Sequence, residues 1–315
     1  MKLSNDSLKS IYFGAYSFSE TEDGYLQAFQ HTREQMEYFS RTSEFWYVRS
    51  SACNSKTLEF KTSATEISFE YKFLWIGSVD SIEIAVDGLP VQIYTEKELK
   101  DEGKVEFSLP EGEKNVVIYL TADSAVAIRS FEINGDFIPA EKGEKVLWLG
   151  DSITQGYGPF RSSHTYVSVA NRYLNYDIIN QGIGGYKYDK YSLMKMEGYT
   201  PDKIIVSFGT NQYKEDYSSC IEEYYETLNK IYGNTPVLCI TPIWRCDEPQ
   251  FKDKLVALCE KIKSVCDKYP NITVVEGFRL VPCLEEYFTD KLHPNALGAE
   301  MYGRNLAAEI KRIGF

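Results

Sequence analysis

Val146-Leu147-Trp148-Leu149-Gly150-Asp151-Ser152-Ile153-Thr154 is a short apolar run that stops at a glycine, an acid and a serine. A Gly- and Tyr-rich segment follows and leads into a helical pattern over Thr165 to Leu174. The run reads as a buried strand that carries a serine to the carboxyl end of a sheet, where open α/β sheets place their ligands. Ser152 is therefore a candidate nucleophile. Gly-Asp-Ser is also sound turn and helix-cap chemistry, since Asp and Ser side chains accept from orphan backbone N–H groups. On this stretch alone, cap and nucleophile stand level.

Downstream, strand-like runs recur at 146–150, 177–182, 203–209, 236–242 and 271–277, and helical patterns cover about 161–174, 216–232, 250–269 and 294–313. Alternation of this kind winds into a parallel sheet covered on both faces, a three-layer α/β sandwich. Upstream the pattern differs. From Trp46, short period-two runs follow one another: FWYVRSS, TLEFKTS, EISFEYKFLWIG, SIEIAVDG, VQIYTE, KVEFSL, NVVIYL and AVAIRSFEING. Most are separated by Gly, Pro, Asp, Ser or charged turn residues, which predicts an all-β antiparallel sandwich of the jelly-roll kind. The polar stretch from Pro139 to Lys145 marks the expected boundary, giving a sandwich domain over 1–143 and an α/β domain over 144–315. Before residue 40, IYFGAYSF reads as a strand, and LQAFQHTREQMEYF has helical spacing or forms an extended arm. His31 lies there and reads as a surface or packing residue.

A net charge of −12 sets up a field that repels nucleic acid and anionic membrane surfaces. No window reaches the roughly 20 apolar residues that span a bilayer. The start, MKLSNDSLKS, lacks the apolar core of a signal peptide, so the expected location is cytoplasmic. Seven cysteines without close paired spacings suit reduced thiols, and Cys259 and Cys266, seven apart on a predicted helix, read as small core residues. None has the histidine spacing of a zinc site. Aromatics make up 14% of the chain; in sandwich strands they serve as core or cross-strand pairs, or as platforms for sugar rings.

A nucleophilic serine needs a base, a group that orients the base, and donors for the developing oxyanion. The chain has only three histidines, which narrows the search. His293 stands in Thr289-Asp290-Lys291-Leu292-His293-Pro294-Asn295, just before the last predicted helix, with Pro294 placed to open it. Asp290, three residues earlier, can lie beside the imidazole in a turn and fix its tautomer. An ordinary helix cap with an exposed histidine would look the same. His164 is the rival, but a helix-surface or capping role suits it better and no acid stands near it. Asn180-Gln181-Gly182-Ile183-Gly184-Gly185 and Gly209-Thr210-Asn211-Gln212 sit where the second and third strands end. The first offers a backbone N–H that can approach a substrate oxygen; in the second, the Asn211 carboxamide donates without titrating.

These blocks resemble the SGNH (GDSL) esterase superfamily: Gly150 to Thr154, Asn180 to Gly185, Gly209 to Asn211, and Asp290 to Pro294, in that order. The resemblance covers about residues 145–315 and implies a flavodoxin-like three-layer fold. It also implies Ser152 as nucleophile, His293 as base and Asp290 as orienter, with an oxyanion hole made of the Ser152 N–H, the Gly185 N–H and the Asn211 side chain. Gln212 departs from the family, which often has an acid there to order the loop. With the sandwich in front, the whole chain resembles the two-domain carbohydrate esterases of family two, which remove acetyl groups from sugars. Some of those orient the histidine by a backbone carbonyl; Asp290 favours a triad here. Trp244, Arg245 and Tyr157 are expected to line a substrate site, Trp244 by stacking on a sugar or else by packing against the sandwich.

The expectation is a serine esterase that deacetylates a small carbohydrate through an acyl-enzyme, with no metal or organic cofactor required. The expected partner is a small acetylated carbohydrate, with no nucleic acid and no membrane, and self-association into a homo-oligomer stays open. An esterase or thioesterase on other acyl groups, or a lysophospholipase, would use the same site. A non-catalytic carbohydrate-binding protein is the reading from another class.

Overall fold

The computed structural model of the protein describes residues 1–78 and 81–315. The chain starts with α1 (Asn5–Ser10), β1 (Tyr12–Phe13), β2 (Ser17–Glu20), β3 (Leu26–Phe29), α2 (Arg33–Thr42) and α3 (Glu44–Ser50). Seven of the next eight strands belong to the sandwich's alternating runs: β4 (Thr57–Thr62), β5 (Glu66–Ile76), β6 (Ile82–Val86), β7 (Leu89–Tyr94), β8 (Glu102–Ser108), β9 (Lys114–Tyr119) and β10 (Ser124–Ile133), followed by the short β11 (Phe137–Pro139). They form two antiparallel sheets, ordered β1-β4-β9-β6-β7, with β11 on β4, and β2-β3-β10-β5-β8. Between the sheets Leu58, Phe60, Phe69, Ile84, Ile118 and Phe131 are buried in one apolar core. The expected jelly-roll sandwich is what the chain forms.

One run was misread. FWYVRSS is rich in strand-forming residue types, yet it lies in helix α3 rather than in a strand. Ser43 caps that helix by accepting from the Trp46 N–H, and Glu44 adds a negative charge to its first turn. Thr32 and Gln35 form a reciprocal capping box at the start of α2, so LQAFQHTREQMEYF divides into strand β3 and helix α2. Neither helix is an arm. Phe39 of α2 is buried in the core of the α/β region. His31 is buried as well, edge-on to Phe39 with Nδ1 3.1 Å from the Ser50 carbonyl, and burial pushes its pKa down to about 3.

The α/β region runs β12 (Lys145–Gly150), α4 (Ser152–Gln155), α5 (Tyr166–Leu174), β13 (Asp177–Gly182), β14 (Lys203–Ser207), α6 (Ser218–Tyr232), β15 (Val237–Ile240), α7 (Lys252–Cys266), β16 (Ile272–Val275) and α8 (Ala296–Ile313). The five strands are parallel in the order β13-β12-β14-β15-β16. All five expected strands and all four expected helices are present. The sheet is buried on both faces, which is why its strands read as unbroken apolar runs. Leu147 and Leu149 point to the layer of α6 and α7; Val146 and Trp148 point to that of α5 and α8. Cys259 and Cys266 are buried beneath α7, as small core residues.

Helices α5 and α8 touch closely. Tyr166 and Tyr302 stack with ring centroids 4.0 Å apart, and a Cβ on Gly303 would sit 2.5 Å from the Val169 Cβ and 2.7 Å from the Tyr166 carbonyl oxygen. Overpacking of that kind costs about 1–3 kcal/mol. Gly303→Ala is therefore expected to lower the melting temperature by several degrees in calorimetry; an unchanged Tm would show that the two helices part without cost.

Candidate active site

The turn from β12 into α4 leaves no room for a side chain at Gly150, where a Cβ would meet the Thr154 hydroxyl at 2.1 Å and the Ser207 carbonyl at 2.9 Å. Asp151 caps α4 by accepting from the Ile153 N–H at 3.1 Å. Ser152 is thus the first helical residue, and its own N–H is one of the orphan donors of a helix start. Both of the sequence's readings hold in part: Gly-Asp-Ser is a cap, with Asp151 as the capping residue, and Ser152 is left projecting. Asp151 is fully buried, and burial pushes its carboxyl up to about 7 against the opposing pull of the Ile153 N–H and the Arg245 charge.

Ser152 Oγ lies 2.8 Å from His293 Nε2, and His293 Nδ1 lies 2.7 Å from Asp290 Oδ2. The histidine is held by a tight loop in which the Thr289 N–H donates to the His293 carbonyl at 2.8 Å. At the tip Lys291 takes a left-handed φ of 68°. The other Asp290 oxygen accepts the His293 N–H at 2.8 Å and the Leu292 N–H at 3.1 Å. One carboxylate therefore shapes the loop and grips the imidazole together. Burial would raise the Asp290 carboxyl, but the backbone and ring bonds from His293 outweigh it and hold it below its usual value. Tyr157 walls the imidazole edge-to-face at 4.6 Å. Helix α8 opens differently from expectation: Asn295 is its cap, accepting from Leu297 and Gly298, and Pro294 sits one residue before the cap.

Three residues on the loops after β12, β13 and β14 each keep an N–H without a partner among the described residues. The Ser152 and Gly185 N–H groups donate to no described group, and Gly185 keeps a φ of +69°. Asn211 spends one amide hydrogen on the Tyr186 carbonyl at 2.8 Å, leaving the other free. Unpaired N–H groups at one edge of a sheet are the kind of donor a developing oxyanion needs. Gln212, the family's departure, is buried and accepts the Tyr188 N–H through its amide oxygen, so it orders the same loop that an acid would.

The remaining expected residues divide. Arg245 does not line an entrance: its guanidinium donates to the Thr210 carbonyl at 2.7 Å and forms a bidentate pair with Asp247 at 2.7 and 2.6 Å, clamping the Asn211 loop from beneath. Trp244 packs neither on the sandwich nor in the open; it stacks on Phe278 at 3.7 Å, with the Lys252 ammonium 4.6 Å from its ring. His164 lies in a short turn with Ser162 and Ser163, beside Arg161 and Glu83, and takes no part in the Ser152 relay.

Sequence reasoning missed the roof of the site. Helix α3 lies over the glycine pair, so that a Cβ on Gly185 would meet Phe45 at 3.3 Å and one on Gly184 would meet the Arg49 side chain at 2.8 Å. Gln155 accepts the Gly184 N–H and donates to Asp123 of the sandwich. Asn54 donates to the Asn180 and Gly182 carbonyls at 2.9 and 3.2 Å, and Gln35 reaches Gln181 at 3.1 Å. The local signal for α3 was its cap, Ser43 followed by an acid.

Residues 148–301 match the model of the GDSL-like lipase/acylhydrolase family. No curated protein sequence matches the chain. Among solved structures, a salicylyl-acyltransferase from a tetracycline biosynthetic pathway is 17% identical with a TM-score of 0.76, covering 96% of this chain and 94% of its own. A putative GDSL-like lipase from Bacteroides ovatus is 16% identical with a TM-score of 0.75, over 99% and 97%. A family two carbohydrate esterase from Clostridium thermocellum, solved with cellohexaose, is 16% identical with a TM-score of 0.68, over 96% and 98%. All three share the two-part fold along nearly their whole length. Among the described residues no helix is long and apolar enough to cross a membrane.

The buried Asp151 makes stability depend on pH. Its folded pKa, about 7, lies above the ordinary aspartate value of 3.8, so the folded state holds the proton more tightly. The resulting stabilisation is complete below pH 3.8 and is lost as pH rises through about 7. Asp151→Asn keeps an acceptor for the Ile153 N–H and stays neutral throughout. Its Tm is expected to fall less than that of the unaltered protein between about pH 5 and 8; parallel Tm curves would contradict the buried-acid account.

Proposed function

We propose, from the match of residues 148–301 to the GDSL-like lipase/acylhydrolase family model, that the protein is a serine esterase that removes acetyl groups from a small carbohydrate. Ser152 attacks the acetyl carbonyl while His293 takes its proton. The carbonyl oxygen, now an anion, is held by the Ser152 and Gly185 N–H groups and the Asn211 amide. His293, stabilised as imidazolium by Asp290, returns the proton to the departing sugar oxygen and leaves an acetyl-enzyme. Water, deprotonated by the same imidazole, then releases acetate and restores Ser152.

What supports this reading is the relay from Ser152 Oγ to His293 Nε2 at 2.8 Å and from His293 Nδ1 to Asp290 Oδ2 at 2.7 Å, ending beside unpaired donors. The carbohydrate half of the proposal draws on the family two carbohydrate esterase that shares the fold. Tyr157, against the imidazole, is assigned a wall of the acetyl pocket; Arg245 is assigned to positioning, through the Thr210 carbonyl.

Acetate release from acetylated mono- and oligosaccharides tests the proposal directly. Ser152→Ala is expected to lose up to about a million-fold in kcat with the fold intact, and near-full activity would end it. Asp290→Asn is expected to lose about ten-thousand-fold; a loss of only a few-fold would mean that Ser152 and His293 work as a pair. A panel of esters of increasing chain length completes the test, because activity that rises with chain length would point to a lipid or thioester substrate instead.

A further inference from the structure

Helix α3 brings three side chains, Phe45, Trp46 and Arg49, onto the two glycines beside the nucleophile strand. A Cβ on Gly185 would lie 3.3 Å from the Phe45 ring and 4.0 Å from Trp46 Nε1, and one on Gly184 would lie 2.8 Å from the Arg49 side chain. Phe45 is nonetheless 50% exposed, so this cover ends in an open aromatic face. Trp46 stands edge-on to Tyr186 at 4.8 Å, and its indole N–H donates to no described group.

The guanidinium of Arg49 sits between two aromatic rings. Its central carbon is 3.7 Å from the Phe45 centroid and 5.3 Å from that of Trp75, which the sandwich contributes from the end of β5. Rings on both sides strip water from the flat of the guanidinium and leave its N–H edge to be satisfied. That edge reaches only the helix's own Phe45 carbonyl, at a long 3.4 Å. The Lys187 ammonium lies close by, 5.9 Å from the Trp46 centroid. Neither cation has a carboxylate at ion-pair distance among the described residues, as is also true of Arg41 and Arg279; the Arg49 charge does reach the buried Asp123 carboxyl, where it opposes the rise that burial causes. In a chain of net charge −12, two cations without an ion pair among the described residues thus lie on the α3 side of the glycine loop.

We propose that α3 and Trp75 form the subsite for the alcohol half of the ester, and that it takes a sugar ring bearing a carboxylate. The inference rests on the esterase reading above. The ring packs on the exposed Phe45 face, and the carboxylate meets the Arg49 edge in the paired geometry that guanidinium and carboxylate favour. Arg49 belongs to the cover over Gly184 and not to the Ser152–His293 relay, so the proposal puts the charged group on the alcohol side of the ester. The preferred substrates are acetyl esters of acidic sugars.

Initial rates on an O-acetylated methyl glucuronide and on its uncharged methyl ester test this, with 4-nitrophenyl acetate alongside. The expected kcat/KM favours the carboxylate by about tenfold at low salt, mostly through KM. The ratio falls toward one in Arg49→Gln, falls less in Lys187→Gln, and is compressed in the unaltered protein at about 500 mM salt. Equal rates on the two sugar esters, or a preference that both salt and Arg49→Gln leave untouched, overturn the proposal. Hydrolysis of 4-nitrophenyl acetate with neither sugar ester turned over also overturns it, while the esterase reading stands. If nothing is hydrolysed, the esterase reading falls, and saturation-transfer NMR with methyl glucuronide against methyl glucoside decides the charge preference. Binding that favours the glucuronide and is lost in Arg49→Gln supports the subsite; equal binding overturns it.

Discussion

The register of β12 against its two neighbours is the constraint on which the site depends. Gly150 stands opposite Gly182 of β13 on one side and Ser207 of β14 on the other, so the loops carrying Ser152, Gly185 and Asn211 leave the sheet at one level. A slip of one residue would displace the serine by about 3.3 Å along the strand. It would also exchange the two faces of β12, sending Trp148 into the layer now filled by Leu147 and Leu149. Two tightly packed helical layers therefore fix, from a distance, the level at which the three loops leave the sheet. The crowding at Gly150 adds a local stop, since any side chain there would drive Thr154 and the Ser207 carbonyl apart.

Most of the polar bonds that tie the upstream region to this edge are between neutral groups. Asn54, Gln35 and Gln181 join backbone carbonyls and one another in the interior. Neutral amides lose less on leaving water than ions do, and each satisfied bond contributes about 1 kcal/mol net. Charge enters at two places: Gln155 donates to Asp123, and Glu83, nearly inaccessible, accepts from Arg161 and from the Ser163 hydroxyl at 2.7 Å. Lys56 is the exception among cations. It is buried and bonded only to the Gln30 amide oxygen and the Ala52 carbonyl, and burial pushes its pKa down to about 8.

Much of this was legible in the sequence, for identifiable reasons. Strands buried on both faces leave continuous apolar runs, and half-buried sandwich strands leave a period of two, so both sheets could be drawn without coordinates. Ser152, Asp290 and His293 stood out because histidine is scarce in this chain and the surrounding blocks are short and ordered. Phe45 to Ser51 misled, because aromatic and β-branched residues favour strands on average, whereas here a serine cap and packing against distant glycines decided for a helix. The clamp of Arg245 on Thr210 and the roof of α3 over Gly184 join residues 35 and about 135 positions apart. Such contacts follow from the tertiary fold and leave no period in a single chain. Gln212 departs from the acid the family often has, but an amide oxygen accepts a backbone N–H as a carboxylate oxygen does, so the loop keeps its tie.

The position of α3 separates chemistry from choice along the polypeptide. On the proposed reading, the Ser152, His293 and Asp290 relay lies wholly after residue 150, while the side chains assigned to the alcohol half come from residues 45 to 75. Substitution in the upstream part can therefore reshape what the protein accepts while the downstream machinery stays untouched. The α/β region cut away by itself would keep its nucleophile and base but would open its glycine loop to solvent. If the proposed subsite holds, selectivity here belongs to two modules pressed together and is inherited from the one that carries no reactive group.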